Sequence, residues 1–244
     1  MIRALNVDKL RLDTGDYILS VQALSKSVRG RTVLTCVDLD VKRGGFTALV
    51  GPSGAGKSLT LACIAGFRRP TRGRVRYFGY EIRGRRPESV VRLGIVRAAA
   101  PPQPLGGMTA LESVTLGALL RRPRLARARD HAREVLVLTG LAECGDAVFA
   151  ALGDLDRRRL ELARALATEP QLLLLDDLFA GLDAHAAAEL GAVLGEVRTR
   201  GVTLVAAART LEEIAPTPDD VVAIDRGRTA EIGAHASVNV YARR

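Results

Sequence analysis

The sequence predicts an α/β fold, a parallel β-sheet flanked by helices, and three observations predict it. Short apolar runs, FTALV (46–50), QLLLLDD (171–177), VTLVAAA (202–208) and DVVAIDR (220–226), alternate with stretches of helical periodicity. The first run leads directly into the glycine-rich GPSGAGKS, 51–58, and then into a helix-like segment. The second ends in two adjacent acids, at the end of a strand where open α/β sheets bind ligands.

Bulk composition bounds the rest. The 244 residues suffice for one large domain or two small ones, and 48% are apolar, enough for a sizeable core. No run of about 18 apolar residues occurs, so no membrane-spanning helix is expected. The first sixteen residues, MIRALNVDKLRLDTGD, carry charges throughout and lack the apolar centre of a secretion signal; they are an unassigned extension. Cys36, Cys63 and Cys144 form no CxxC pair and read as reduced thiols of a cytosolic protein. The net charge of +9 permits nucleic acid or an anionic membrane as a neighbour. Its arginine tracts, RRPRLARAR (121–129) and RGRR (83–86), lack interleaved aromatics and read as solvated faces, so nucleic acid is not the expected partner.

Element by element, FTALV is a buried strand, and SLTLACIAGF is a short helix ending at Gly66. PPQPLGG (101–107) is a hinge. TALESVTLGALL (109–120) and ARARDHAREVLVLTGLA (126–142) carry apolar residues at helical spacing. QLLLLDD is a buried parallel strand, AHAAAELGAVLGEVRT (184–199) a helix, and VTLVAAA and DVVAIDR are further strands. No internal repeat is visible, and the tail after Gly233 carries no signal.

The chemistry sits in the loop. Residues Gly51, Pro52, Ser53, Gly54, Ala55, Gly56, Lys57 and Ser58 match G-x-x-x-x-G-K-[ST]. Glycines let consecutive backbone N–H groups turn inward around phosphate oxygens, and the following helix adds the partial positive charge of its N-terminus. Lys57 supplies a point charge for the β- and γ-phosphates, and Ser58 a hydroxyl for Mg²⁺. Asp176 is the expected Mg²⁺ carboxylate, directly or through water. Asp177 stands where a base or water-orienting group belongs.

The segment DRRRLELARALATEPQLLLLDDLFAGLD (156–183) resembles the ATP-binding subunits of ABC transporters, and the front half, LSVQALSKSVRGRTVLTCVDLDVKRGGFTALVGPSGAGKS, agrees. The resemblance spans about residues 17–233. GIVR (94–97) and MTALESVTLGALL (108–120) lean toward the branched-chain amino acid importer branch. It implies a P-loop NTPase with a RecA-like core, an antiparallel side sheet from strands at about 17–24 and 33–41, and a helical subdomain. Residues 17–244 then form one domain, core about 17–98 and 158–244, helical part about 101–157. It also implies ATP and Mg²⁺ as cofactors, and a cytoplasmic location on the inner face of the membrane. The expected partners are transmembrane transporter subunits, which the insert and hinge would contact, and a second copy or a sister ATP-binding subunit. A signature loop falls at Leu152, Gly153, Asp154, Leu155 and Asp156, and a D-loop at Gly181, Leu182 and Asp183. GTPases are disfavoured because no NKxD follows the loop, and small-molecule kinases would not explain residues 156–183.

The sequence departs from that family where hydrolysis is concerned. Val28 replaces an adenine-stacking aromatic. Leu59 replaces a threonine, with Thr60, which the resemblance still implies as an ATP-binding residue, one place late. Ala100 stands at the Q-loop glutamine, and Gln103 lies three positions on. The signature reads LGDLD, which brings Asp154 toward a partner's γ-phosphate. Asp177 stands for a glutamate, shorter by about 1.5 Å, and Leu178 for the proline after it. Arg209 occupies the switch-histidine position and cannot take a proton near neutral pH. Two readings follow. One is a transport ATPase, expected to be an importer, with weak intrinsic turnover; the other is a nucleotide-binding regulatory or structural subunit beside an active sister ATPase. A third, an ATPase acting on nucleic acid, rests on charge alone.

Overall fold

The computed structural model describes residues 16–230. The N-terminal extension up to residue 15 and the tail beyond residue 230 lie outside the described residues. In chain order the strands and helices are β1 (Tyr17–Val28), β2 (Arg31–Lys42), β3 (Phe46–Val50), α1 (Lys57–Ile64), β4 (Arg72–Tyr77), β5 (Tyr80–Glu81), α2 (Pro87–Arg92) and β6 (Ile95–Ala99). Then come α3 (Ala110–Ala118), α4 (Leu125–Leu138), α5 (Asp154–Leu166), β7 (Leu172–Asp176), α6 (Ala184–Thr199), β8 (Thr203–Ala208), β9 (Asp220–Asp225) and β10 (Arg228–Ala230).

Two sheets form. The larger has the order β10-β9-β3-β8-β7-β6, parallel except for the β10–β9 hairpin. Strands β3, β8 and β7 at its centre are buried on both faces, which is why they read as unbroken apolar runs. The period-two pleat divides each run between two cores. Phe46, Val50, Leu173, Leu175 and Leu204 point toward α3, α5 and α6, while Leu49, Leu172, Leu174 and Val205 point toward α1 and the second sheet. The four leucines of LLLLDD thus anchor two layers at once and bring Asp176 to the strand end beside the phosphate loop.

The second sheet is antiparallel, in the order β2-β1-β4-β5. Its first two strands run beyond the expected 17–24 and 33–41 to meet at Arg29-Gly30, both at positive φ (49° and 79°). That is the backbone of a tight two-residue hairpin. The extra length is carried by mostly polar residues, SKSV and RT, so apolar patterning stops short of the pairing, which continues to Val28 opposite Arg31. β4, β5, α2 and β10 were not placed by patterning; they are short and mostly exposed on at least one side.

Helices α3 and α4 pack on each other and on α5. α3 opens with a capping box: Glu112 N–H donates to Thr109 Oγ1 at 3.2 Å and Thr109 N–H to Glu112 Oε2 at 2.9 Å. The position 157/158, where the core was expected to resume, lies inside α5, which also packs on β6 and α6. α5 therefore links the helical layer to β6, the edge strand beside β7, whose end carries the acids.

Candidate nucleotide-binding site

The loop from Gly51 to Gly56 joins β3 to α1. Its shape is held by the neighbouring chain: Gly51 N–H donates to Arg209 O at 3.3 Å and Gly227 N–H to Ala55 O at 2.9 Å. Gly51 (φ 153°) leaves no space for a side chain, because a Cβ would overlap the carbonyl of Ile224. Gly56, at φ 109°, is the N-cap of α1 and no side chain caps that end. The first helical bond runs from Thr60 N–H to Gly56 O at 2.9 Å. The N–H groups of the first turn before it have no partner within the helix and point out of its end, which makes an anion site.

An open cleft of about 640 Å³ lies in front of this loop, lined by Ser53, Gly54, Gly56, Lys57 and Ser58 on one side and by Asp177, Ala180, Gly181 and Arg209 on the other. Val33 and Leu59 complete it. Lys57 is 5% exposed and donates to Gly51 O at 2.6 Å and Pro52 O at 3.1 Å. Burial lowers its pKa, and Asp177 and Asp176 oppose that by favouring the ammonium. Ser58 Oγ donates to Asp176 Oδ1 at 2.8 Å. Asp177 N–H donates to Ala207 O at 3.2 Å, and the residue sits at φ 54° just past β7. Burial first, then the neighbouring Asp176, pushes its carboxyl above the usual carboxylate range.

The other expected site residues divide between the cleft and positions away from it. Thr60 does not reach the cleft: it is fully buried, its hydroxyl donates to Gly56 O at 3.0 Å, and helical rotation gives the cleft wall to Leu59. Arg209 borders the cleft but is held by Glu213, its Nε donating to Oε1 at 3.0 Å and its N–H to Oε2 at 3.1 Å. Gln103 turns its amide onto Pro101 O at 3.2 Å. Val28 is exposed at the end of β1. Leu152 is buried, Gly153 is the N-cap of α5, and Asp154, Leu155 and Asp156 form its first turn. Asp154 reaches solvent with Arg157 at 3.6 Å, and Asp156 pairs with Arg159 at 3.2 Å. In the segment expected to be the D-loop, Gly181 lines the cleft, Leu182 packs against the core, and Asp183 caps α6 by accepting from Ala186 N–H at 2.8 Å.

Sequence reasoning also missed two arginines. Arg97 on β6 pairs with Asp176 Oδ2. Arg158 on α5 donates to Leu178 O at 2.7 Å and Ala180 O at 2.6 Å, tying α5 to the turn after Asp177. Asp-rich and Arg-rich segments were visible, but nothing local paired them.

A parallel sheet, a phosphate loop at an uncapped helix N-terminus and paired acids on the adjacent strand end define a P-loop nucleotide-binding protein. The antiparallel side sheet and the helical subdomain between β6 and β7 narrow the class. The ABC transporter family pattern matches residues 34–180, and this chain belongs to that family as an ATP-binding cassette. A sulfate/thiosulfate import ATP-binding protein, CysA of Thermosynechococcus vestitus, is 33% identical over 221 residues, covering 90% of this chain but 65% of its own length. The chain thus spans just under two thirds of that relative. The branched-chain amino acid transport ATP-binding protein BraF of Pseudomonas aeruginosa is 29% identical, covering 86% of this chain and 89% of its own. Among solved structures, MJ1267, an ATP-binding cassette of an ABC transporter, in its ADP conformation, superposes with a TM-score of 0.79 at 25% identity, covering 88% of this chain and 89% of that one. The relatives show the family, and they include both BraF of the branched-chain branch and CysA, which matches at higher identity.

Proposed function

We propose that this chain is the ATP-binding subunit of an ABC importer, pairing with a second copy or a sister subunit and acting on separate membrane subunits from the cytoplasmic face of the membrane. The observation that carries it is the convergence of Lys57, Ser58, Asp176 and Asp177 at the uncapped N-terminus of α1. The relatives support import as the direction, and their named substrates differ, so the solute is left open. No described helix is long and apolar enough to cross a membrane.

In this reading the loop amides bind the triphosphate, and Lys57 swings from the carbonyls of Gly51 and Pro52 to the β- and γ-phosphates. Ser58 Oγ and Asp176 Oδ1, 2.8 Å apart at the loop mouth, are two hard oxygen donors suited to Mg²⁺, whose remaining positions phosphate and water would fill. When bound, Mg²⁺ neutralises charge on the phosphates. Asp177 orients the attacking water. Its raised pKa suits proton acceptance, but its short side chain limits its reach.

Two observations favour a low-turnover, regulatory version of the same subunit. Arg209 is engaged by Glu213, and the N-terminus of α5 carries Asp154 and Asp156, whose charges offset the positive end of the helix that a partner's γ-phosphate would meet. ATP binding and turnover of the purified chain, with Lys57→Ala as control, separate the outcomes. Lys57→Ala exchanges the ammonium's loop bonds and phosphate contacts for nothing, a net loss of about 3 kcal/mol or roughly a hundredfold in Kd. Unchanged ATP affinity in that variant would remove the nucleotide site as proposed. Lysine-dependent phosphate release at ordinary enzyme rates would remove the regulatory version.

A further inference from the structure

The two oxygens of Asp176 are divided between two partners. Oδ1 accepts from Ser58 Oγ at 2.8 Å. Oδ2 accepts from Arg97, through Nε at 3.0 Å and through an Nη2 ion pair. The arrangement follows from strand register. β6 lies beside β7 with Arg97 opposite Leu174 and Ala99 opposite Asp176. Arg97 and Asp176 therefore stand diagonally on the same face of the sheet, the face shared by Ile95, Leu172 and Leu174. A slip of one residue would send Arg97 to the opposite face. The guanidinium also lies over the Phe67 ring, 5.8 Å from its centroid, so it is held from two sides. Asp176 is only 3% exposed, and a buried carboxylate without a counter-charge is costly.

We propose that Arg97 is a positioning residue that stands in for the metal at Asp176. It neutralises the carboxylate through Oδ2 and holds Oδ1 toward Ser58, so that a divalent cation is accepted only together with the phosphates of a nucleotide. This rests on the reading of Ser58 and Asp176 as the metal-facing pair. A guanidinium keeps its charge at every accessible pH, so this counter-ion cannot be titrated away. A bare divalent cation would meet an acid whose charge is already neutralised and a fixed like charge beside it. A cation arriving on a triphosphate brings net negative charge, which the same arginine attracts. Arg97 thereby makes metal binding conditional on nucleotide.

The test is Mn²⁺ binding followed by electron paramagnetic resonance on the full chain without nucleotide. The unsubstituted protein is expected to show no Asp176-dependent Mn²⁺ site. Arg97→Gln keeps a donor but removes the charge, and is expected to bind Mn²⁺ at least about tenfold more tightly, an effect abolished by adding Asp176→Asn. Arg97→Lys restores the charge and is expected to behave as the unsubstituted chain. Equal Mn²⁺ affinity in Arg97→Gln and the parent, or equal gains in the Gln and Lys variants, overturns the proposal. Should Arg97→Gln fail to fold, the parent still decides: an Asp176-dependent Mn²⁺ site without nucleotide overturns the proposal, and its absence, with Mn²⁺ taken up once ATP is added, supports it. The underlying site reading has its own arm. If Asp176→Asn leaves Mn²⁺ affinity of the ATP complex unchanged, that reading fails and this inference with it. If Asp176→Asn weakens it while Arg97→Gln changes nothing, only the role of Arg97 fails.

Discussion

Replacing Asp177 by Glu together with Arg209 by His should raise ATP turnover by about a hundredfold. Asp177 is fixed by its backbone: it follows the buried end of β7, and its N–H is bound to Ala207 O at 3.2 Å, so its carboxylate cannot advance by moving the chain. Glutamate adds about 1.5 Å of reach, and a misplacement of about 1 Å can cost on the order of a hundredfold in rate. Arg209 is turned onto Glu213 at 3.0 Å and offers no basic nitrogen. Histidine there frees the Glu213 carboxylate and supplies a group able to exchange a proton near neutral pH. Groups that act as a unit are non-additive, so each single substitution should give less than about tenfold. The assay is phosphate release at saturating Mg-ATP, with Lys57→Ala added to the double variant as a background control. A double variant within about threefold of the parent, with unchanged ATP affinity, would refute the reasoning and move the limitation to the acidic first turn of α5 or to Ala100.

Further outcomes follow from the same geometry. Asp177→Asn should stabilise the protein without nucleotide at pH 7. The folded state raises the Asp177 pKa, so the parent's proton-linked stability is complete below about pH 3.9 and is lost as pH rises through the folded value. The melting advantage of Asn should therefore shrink as pH falls from 7 toward about 4, and an advantage that grows with acid would contradict this. Arg158→Met strips donors from the carbonyls of Leu178 and Ala180. It should cost about 2 kcal/mol, a fall in Tm of roughly 4–8 °C by calorimetry. A shift under about 1 °C would show that water replaces the guanidinium without loss.

The parts of this protein legible in the sequence are those whose physics is local. The glycines of 51–56 announce a loop because only a glycine fits under the Ile224 carbonyl and at the φ of Gly56, and the lysine that follows begins the helix. The leucines of 172–175 announce a doubly buried strand because both faces of the pleat must be apolar. What tertiary structure decided are the pairings across strands and between layers. Arg97 and Asp176 are 79 residues apart and meet only through the β6–β7 register. Thr60 and Leu59 differ by one helical step, and the rotation of α1 against β7 and β8 sends one inward and the other to the cleft. Asp183 is an acid in a motif by sequence and a helix cap by geometry. Motifs write backbone shape into adjacent residues, whereas the partner of a buried charge depends on which face and which strand the fold brings to it.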